Sequence, residues 1–269
     1  IGAWGVAVSD ANIQDKDAGV DFVSYRACIG FPEDYKAVSN PGDRVLTLFV
    51  GLSAAGPRGD VFRINGGWMV SSTVDDLNVR NVSAADHPET NVWSMAVSGS
   101  ASGLTILVGT EEVNPALPPT TPVPGQFLLY TGSNSGATCI WSPDSQDANY
   151  LSSYKQPTGE TKATVVMANA VAYVGTFGDQ SAVSASLSAQ GVSFNSWNQR
   201  GLIDTVISEI TDMSPSEGYF ADGTMFITTM DTVTGDASLW HTTTEGRAWE
   251  RVYCSTLAAP TACIFDMVR

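Results

Sequence analysis

Positive charge is scarce in this chain: 13 lysines and arginines stand against 28 aspartates and glutamates, a net charge of −15 over 269 residues. A phosphate backbone or an anionic membrane repels such a surface, so nucleic acid is excluded as a partner. Histidine is nearly missing, with only His87 and His241. That leaves little material for Ser-His-Asp catalysis, and no G-x-S-x-G elbow exists, since Gly51-Leu52-Ser53 and Gly132-Ser133 lack the second glycine at the right spacing. His87, before Pro88 in an Asp-rich loop, and His241, beside Trp240, read as surface or packed histidines. None of the four cysteines has the C-x-x-C spacing of a zinc or redox site. No metal and no cofactor is expected. No apolar run approaches the roughly eighteen residues of a membrane-spanning helix, and no segment carries a capped helical stripe. The chain opens on Ile1 without a signal segment, as it would if a leader had been removed or if the sequence were a piece of something longer.

What remains is a globular composition, 43% hydrophobic and 15% charged, long enough for one large all-β domain or two small ones. The clearest stretch is YFADGTMFITTMDTVTGDASLWHTTTEGRAWE, from Tyr219 to Glu250. Asp222-Gly223 is a tight-turn dipeptide, and TMFITTM after it alternates polar and apolar residues as a half-buried strand does. Thr234-Gly235-Asp236 turns into a second strand over Ala237-Ser238-Leu239-Trp240-His241-Thr242, and Thr244-Glu245-Gly246 turns into a third over Ala248-Trp249-Glu250-Arg251-Val252. Three short strands in a meander cannot bury their apolar faces alone.

Two markers recur along the chain. The pattern apolar-x-Asp/Ser-Met occurs as Val92-Trp93-Ser94-Met95, Ile210-Thr211-Asp212-Met213 and Ile264-Phe265-Asp266-Met267. A strand follows it: LTLFVG ends at Gly51, TILVG at Gly109 and VAYVG at Gly175, with Thr228 in the matching place of MFITT. Both markers give a unit slightly above fifty residues, the signature of a repeat architecture. The end of the opening stretch, Thr242-x-Thr244-x-Gly246-x-x-Trp249, resembles the Asp-box of the BNR-repeat β-propellers, the family of sialidases, some xyloglucan-degrading hydrolases and sortilin-like receptors. In that family the pattern is Ser/Thr-x-Asp-x-Gly-x-x-Trp on the turn between the two outer strands of a blade. Thr244 stands where the Asp belongs, so the resemblance carries the turn glycine and the packing tryptophan but not the carboxylate's hydrogen bonds.

The resemblance implies an all-β fold, a β-propeller of four-stranded antiparallel blades forming one domain over 1–269. The repeat divides it into blades over 21–85, 86–151, 152–200 and 201–254, with partial blade strands in 1–20 and 255–269. Expected strands include FVSYRACIG, DVFRIN and GGWMVSS in the first unit, NVWSMAVS, GQFLLYTGS and TCIWSP in the second, and ATVVMANAVAYVG and AVSASLSAQGVSFNSW in the third. Gly191-x-x-Phe194 reads as a faded copy of the Gly-x-x-Trp turn, and the proline-rich excursion 111–125 as a rigid loop between strands. The strand at Trp4 and the C-terminal strand either share a blade in a small five-bladed ring or, the favoured reading, belong to a larger propeller.

Paired carboxylates for glycoside hydrolysis are the enzymatic option that the resemblance raises. Glu209 and Asp212 flank an inner strand, and Asp266 is equivalent to Asp212 by the repeat, which favours a structural role for both. Sialidase-like sites also need clustered arginines and a Tyr/Glu pair; of the nine arginines only Arg26 and Arg269 are placed on inner strands. Asp15, Asp17 and Asp21 surround Gly19 as oxygen ligands of a calcium loop do, but read better as an acidic solvated turn. Asn81-Val82-Ser83 is a sequon. Of the possible pairings of Cys28, Cys139, Cys254 and Cys263, a Cys254–Cys263 bridge closing STLAAPTA is expected, against the alternative of four buried thiols. The seven tryptophans read as packing residues. Few lysines and long polar loops lean toward an extracellular or cell-surface location. The expected function is therefore a non-catalytic surface module for protein or glycan contacts or self-assembly, with part of a secreted glycoside hydrolase as the alternative.

Overall fold

The computed structural model describes residues 24–36, 42, 44–54, 60–66, 73–77, 91–111, 127–132, 162–168, 171–177, 182–187, 198, 199, 207, 209–231 and 233–256. Fifteen strands and a single helical turn make up the described secondary structure. The chain divides into two compact units, one gathering 1–108, 113–122 and 128–147, the other 109–112, 123–127 and 148–269.

The first unit opens with an antiparallel meander of β1 (Ser24–Gly30), β2 (Leu48–Ala54), β3 (Val61–Asn65) and β4 (Thr73–Asp76), paired in chain order. A half-buried strand should alternate, yet Val61 to Ile64 are buried without a break. The reason is that apolar cover lies on both faces. Phe49, Val61 and Leu77 join Val92, Leu104, Ile106 and Val108 in one core. Leu48, Val50, Leu52, Phe62, Ile64 and Val74 form a second core on the other face. Val92 stands on β5 (Asn91–Ser100), whose partner is β6 (Gly103–Glu111), and β7 (Phe127–Gly132) pairs with β6 in turn. The loop after β1 is tied to the β5–β6 hairpin by carboxylates. Glu33 accepts from the Gly99 amide at 2.9 Å and Asp34 from the Ala101 amide at 2.8 Å.

In the second unit, β8 (Lys162–Ala168), β9 (Val171–Phe177), β10 (Ala182–Leu187) and β11 (Asn198–Gln199) form another antiparallel meander, and Glu111 pairs with Lys162 at its β8 edge. ATVVMANAVAYVG thus resolves into two strands. The last sheet runs β12 (Glu209–Pro215), β13 (Met225–Met230), β14 (Asp236–Thr242) and β15 (Glu250–Thr256). The meander read from the sequence is present, with β12 added beside β13. TMFITTM differs from the half-buried reading: Met225 and Ile227 are buried on one face, and Thr228 and Met230 on the other.

Both recurring markers fall on strands, Val92 to Met95 in β5 and Ile210 to Met213 in β12, and the structure shows why they recur together. A Cβ on Gly51 would stand 2.5 Å from Cγ1 of Val92; one on Gly175 would stand 3.0 Å from Cγ2 of Ile210 and 3.2 Å from Sδ of Met213. The glycine of one unit is the seat for the apolar residue of the next. Residues three apart on a regular strand point to opposite faces. Ile210 and Met213 share one because the β12–β13 register slips between Ile210 and Asp212. The Asp212 carboxylate accepts the Met213 amide at 2.8 Å within that bulge. At Ile210 to Met213 the motif is thus a bulge with its own cap.

Several expectations need correction or fall elsewhere. The fourth strand of the first meander is Thr73–Asp76, beyond GGWMVSS, where Asp75 can pair with Arg63 directly opposite. Asp222-Gly223 ends a helical turn, α1 (Tyr219–Asp222), with Gly223 at φ 65° as its left-handed cap. Cys254 is a free, exposed thiol, and not half of a Cys254–Cys263 bridge, because β15 runs on through it and holds it opposite Ser238. Most of GGWMVSS, all of TCIWSP, Gly191 to Phe194, the excursion 112–125, and the strands at Trp4 and at 264–267 lie outside the described residues, as do Cys139 and Cys263.

Candidate functional site

The last sheet presents two ends with different chemistry. At one end the β13–β14 turn is locked by Asp231, whose carboxylate accepts the Val233 amide at 2.8 Å and the Thr234 hydroxyl at 2.9 Å. Glu209 begins β12 at the same end, paired with Met230. The side chain of Glu209 lies outside the described set. Asp212 sits mid-strand, half-buried, on the bulge it caps. Arg26 lies on β1, in the other unit. Asp266, Arg269, His87, Asp15, Asp17, Asp21 and Asn81 lie outside the described residues. Among the described residues no group of acidic, histidine or cysteine side chains could hold a metal ion, and no helix is long and apolar enough to cross a membrane.

The other end carries α1 and the turn between β14 and β15. Here Thr242-x-Thr244-x-Gly246 closes the turn with hydroxyls. Thr242, buried, accepts the amides of Thr244 at 3.1 Å and Gly246 at 3.2 Å, and Thr244 accepts the Ala248 amide at 2.9 Å. Thr244 thereby performs with one oxygen part of what a carboxylate would do. Glu245 and Gly246 both have positive φ, 55° and 81°, so the turn needs two left-handed residues in succession. Glu245 donates its amide to the Gly223 carbonyl at 3.1 Å, joining the turn to the cap of α1. Beneath it the hydroxyls of Tyr173 and Tyr219 share a hydrogen bond, their rings edge to face at 6.0 Å.

At this end half-buried His241 lies against half-buried Phe226, ring centroids 5.4 Å apart and planes tilted by 34°. Register decides this pair: His241 is directly opposite Phe226, with Ser214 and Glu250 completing the row across the sheet. Asp222 is exposed on α1, and the hydroxyl and amide of Thr224 hold its carboxyl below the ordinary carboxylate range, with a smaller pull from His241. Phe220, 70% exposed, stands beside it in the helix. On the opposite face of β14, Trp240 donates to the Thr229 hydroxyl at 2.9 Å and carries the Arg251 guanidinium over its ring at 4.3 Å. The sequence placed His241 on a strand beside Trp240 but missed Phe226 as its neighbour, since only strand register brings the two rings together.

Compared with solved structures, the chain matches the Hadza microbial sialidase Hz136 at a TM-score of 0.51 and 11% identity, over 86% of this chain and 46% of that one. It matches the six-bladed β-propeller fucose-recognising fungal lectin of Aleuria aurantia at 0.51 and 11%, over 88% of this chain and 66% of the lectin. The chain therefore spans about half the length of the sialidase and just under two thirds of the lectin. No family model and no curated protein matches it in sequence. At such low identity the likeness shows the fold alone: this is an all-β protein of the β-propeller type.

Proposed function

We propose that the chain is a non-catalytic, glycan-binding β-propeller module that acts at the cell surface or outside the cell, each four-stranded meander serving as one blade. The observation that carries this reading is the Phe226–His241 ring pair, set beside the carboxylate of Asp222 at the loop end of the last sheet. The lectin among the structural neighbours supports the ligand class. The sugar is neutral, because a net charge of −15, with Asp222, Glu245 and Glu250 at this end, repels an anionic one. Catalysis is set aside because Asp212, the best-placed acid of the inner strand, spends an oxygen on the Met213 amide.

A glycan array probed with the chain tests this. Retention of neutral glycans, weakened about tenfold by Phe226→Ala or His241→Ala, is expected from the loss of one stacking contact of about 1 kcal/mol or slightly more. Three results count against the proposal: preference for sialylated glycans, hydrolysis of an array glycan that Asp212→Asn abolishes, or capture of protein or of further copies of the chain with no glycan retained.

A further inference from the structure

The β14–β15 ladder slips between Leu239 and Trp240, which makes Val252 the extra residue of a bulge in β15. On a regular strand Glu250 and Tyr253, three residues apart, would point to opposite faces. The slip puts both on one face. Glu250 stands opposite His241 and Tyr253 opposite Leu239, and Leu239 is two residues from His241 on β14, so all four share the face of the Phe226–His241 pair. The same slip turns Arg251 to the other face, where its guanidinium lies over the Trp240 ring at 4.3 Å. Tyr253 is 52% exposed, Glu250 is exposed and Leu239 half-buried. The bulge thus brings an open aromatic ring and a carboxylate beside the ring pair and turns the guanidinium away from it.

We propose that Tyr253 is a second stacking platform of the glycan site, so that the site takes a neutral disaccharide or longer chain and not a single terminal sugar. The inference rests on the glycan-binding reading and adds to it the length of the ligand. Its ground is spacing. Diagonal neighbours on adjacent antiparallel strands lie about 7–8 Å apart, and His241 and Tyr253 are such a pair. One pyranose ring is too narrow to stack on both. Two linked rings reach, the first on Phe226 and His241 and the second on Tyr253, with Leu239 beneath the linkage and the Glu250 carboxylate accepting from hydroxyls along the edge. A neutral chain suits this row because Arg251, the cation of β15, is engaged on the opposite face.

Titration calorimetry tests it with three pairs of neutral sugars: methyl galactoside and lactose, methyl glucoside and cellobiose, methyl mannoside and mannobiose. In the pair that binds, the disaccharide should bind the natural chain at least about tenfold more tightly than the monosaccharide, the gain of one further stacking contact. Tyr253→Ala should remove that gain and leave the monosaccharide's affinity unchanged, whereas Tyr253→Phe, which keeps the ring, should retain most of it. If Tyr253→Ala does not fold, Tyr253→Leu makes the same cut with less loss of volume. Equal affinity for the two sugars overturns the inference and leaves the glycan-binding reading standing. So does a gain that survives Tyr253→Ala, a gain lost as fully in Tyr253→Phe, or an equal fall in both affinities. Binding of none of the six sugars counts against the glycan-binding reading itself, and this inference falls with it.

Discussion

The first and last described sheets solve one packing problem with different outer parts. Each is a four-stranded antiparallel meander in which the second strand carries an aromatic-apolar-small triplet, Phe49-Val50-Gly51 in one and Phe226-Ile227-Thr228 in the other. Their outer halves have nothing in common. In the first, β3 and β4 are clamped by Arg63, 4% exposed, which donates through Nε and Nη2 to Asp75, while Asn65 donates to the same oxygen. In the last, hydroxyls do the holding: Trp240 to Thr229, and the Thr242 turn. The contacts between sheets are therefore what the repeat preserves, and the strands farthest from them are free to drift.

Asp75 should show the largest effect. Asp75→Ala removes an acceptor of three donors, two of them on a buried guanidinium, so a loss of about 3 kcal/mol is expected in urea denaturation. Asp75→Asn, which keeps one acceptor, should recover part of it.

The seats come next. Gly51→Ala and Gly175→Ala should each cost about 1–3 kcal/mol through overpacking against Val92 and Ile210. Gly103→Ala, where an added Cβ meets nothing within 4 Å, should change stability by less than about 0.5 kcal/mol. Equal losses at all three would mean that the glycines serve chain flexibility and not the contact between sheets.

A smaller loss, about 1 kcal/mol, is expected for Asp212→Ala from the uncapped Met213 amide, with Asp212→Asn close to the natural chain. A carboxylate used for chemistry would not tolerate the amide in an activity assay.

The smallest effect concerns pH. Asp222 has a folded pKa below its unfolded value, so its contribution to stability is present above the ordinary carboxylate pKa and fades as pH falls through the lowered one. A carbon-detected NMR titration should place the Asp222 midpoint below that of a model aspartate, and Thr224→Val should move it back up.

Much of the fold was legible. Strand periodicity placed β5, β6, β12, β13 and β14 where they stand, because alternation and β-branched residues report the pleat directly. The markers at Val92 and Ile210 were legible as repeats but not as geometry. A three-residue spacing on a strand predicts opposite faces, and only the ladder slip at Ile210 to Asp212 puts Ile210 and Met213 together. The fourth strand was misplaced to GGWMVSS because its true form, Thr73–Asp76, is polar and owes its place to Arg63 opposite Asp75. The site was less legible still: His241 was visible, but Phe226 lies fifteen residues earlier in sequence and becomes its neighbour only by register.

The sequence by itself determined the strand class and the acidic character, since these depend on local periodicity and on composition. Tertiary structure decided which apolar residues share a face, which carboxylates are spent on backbone amides, and that both faces of a sheet are buried. Those outcomes depend on what lies across a ladder or against the next sheet, and a linear pattern carries no record of its partner.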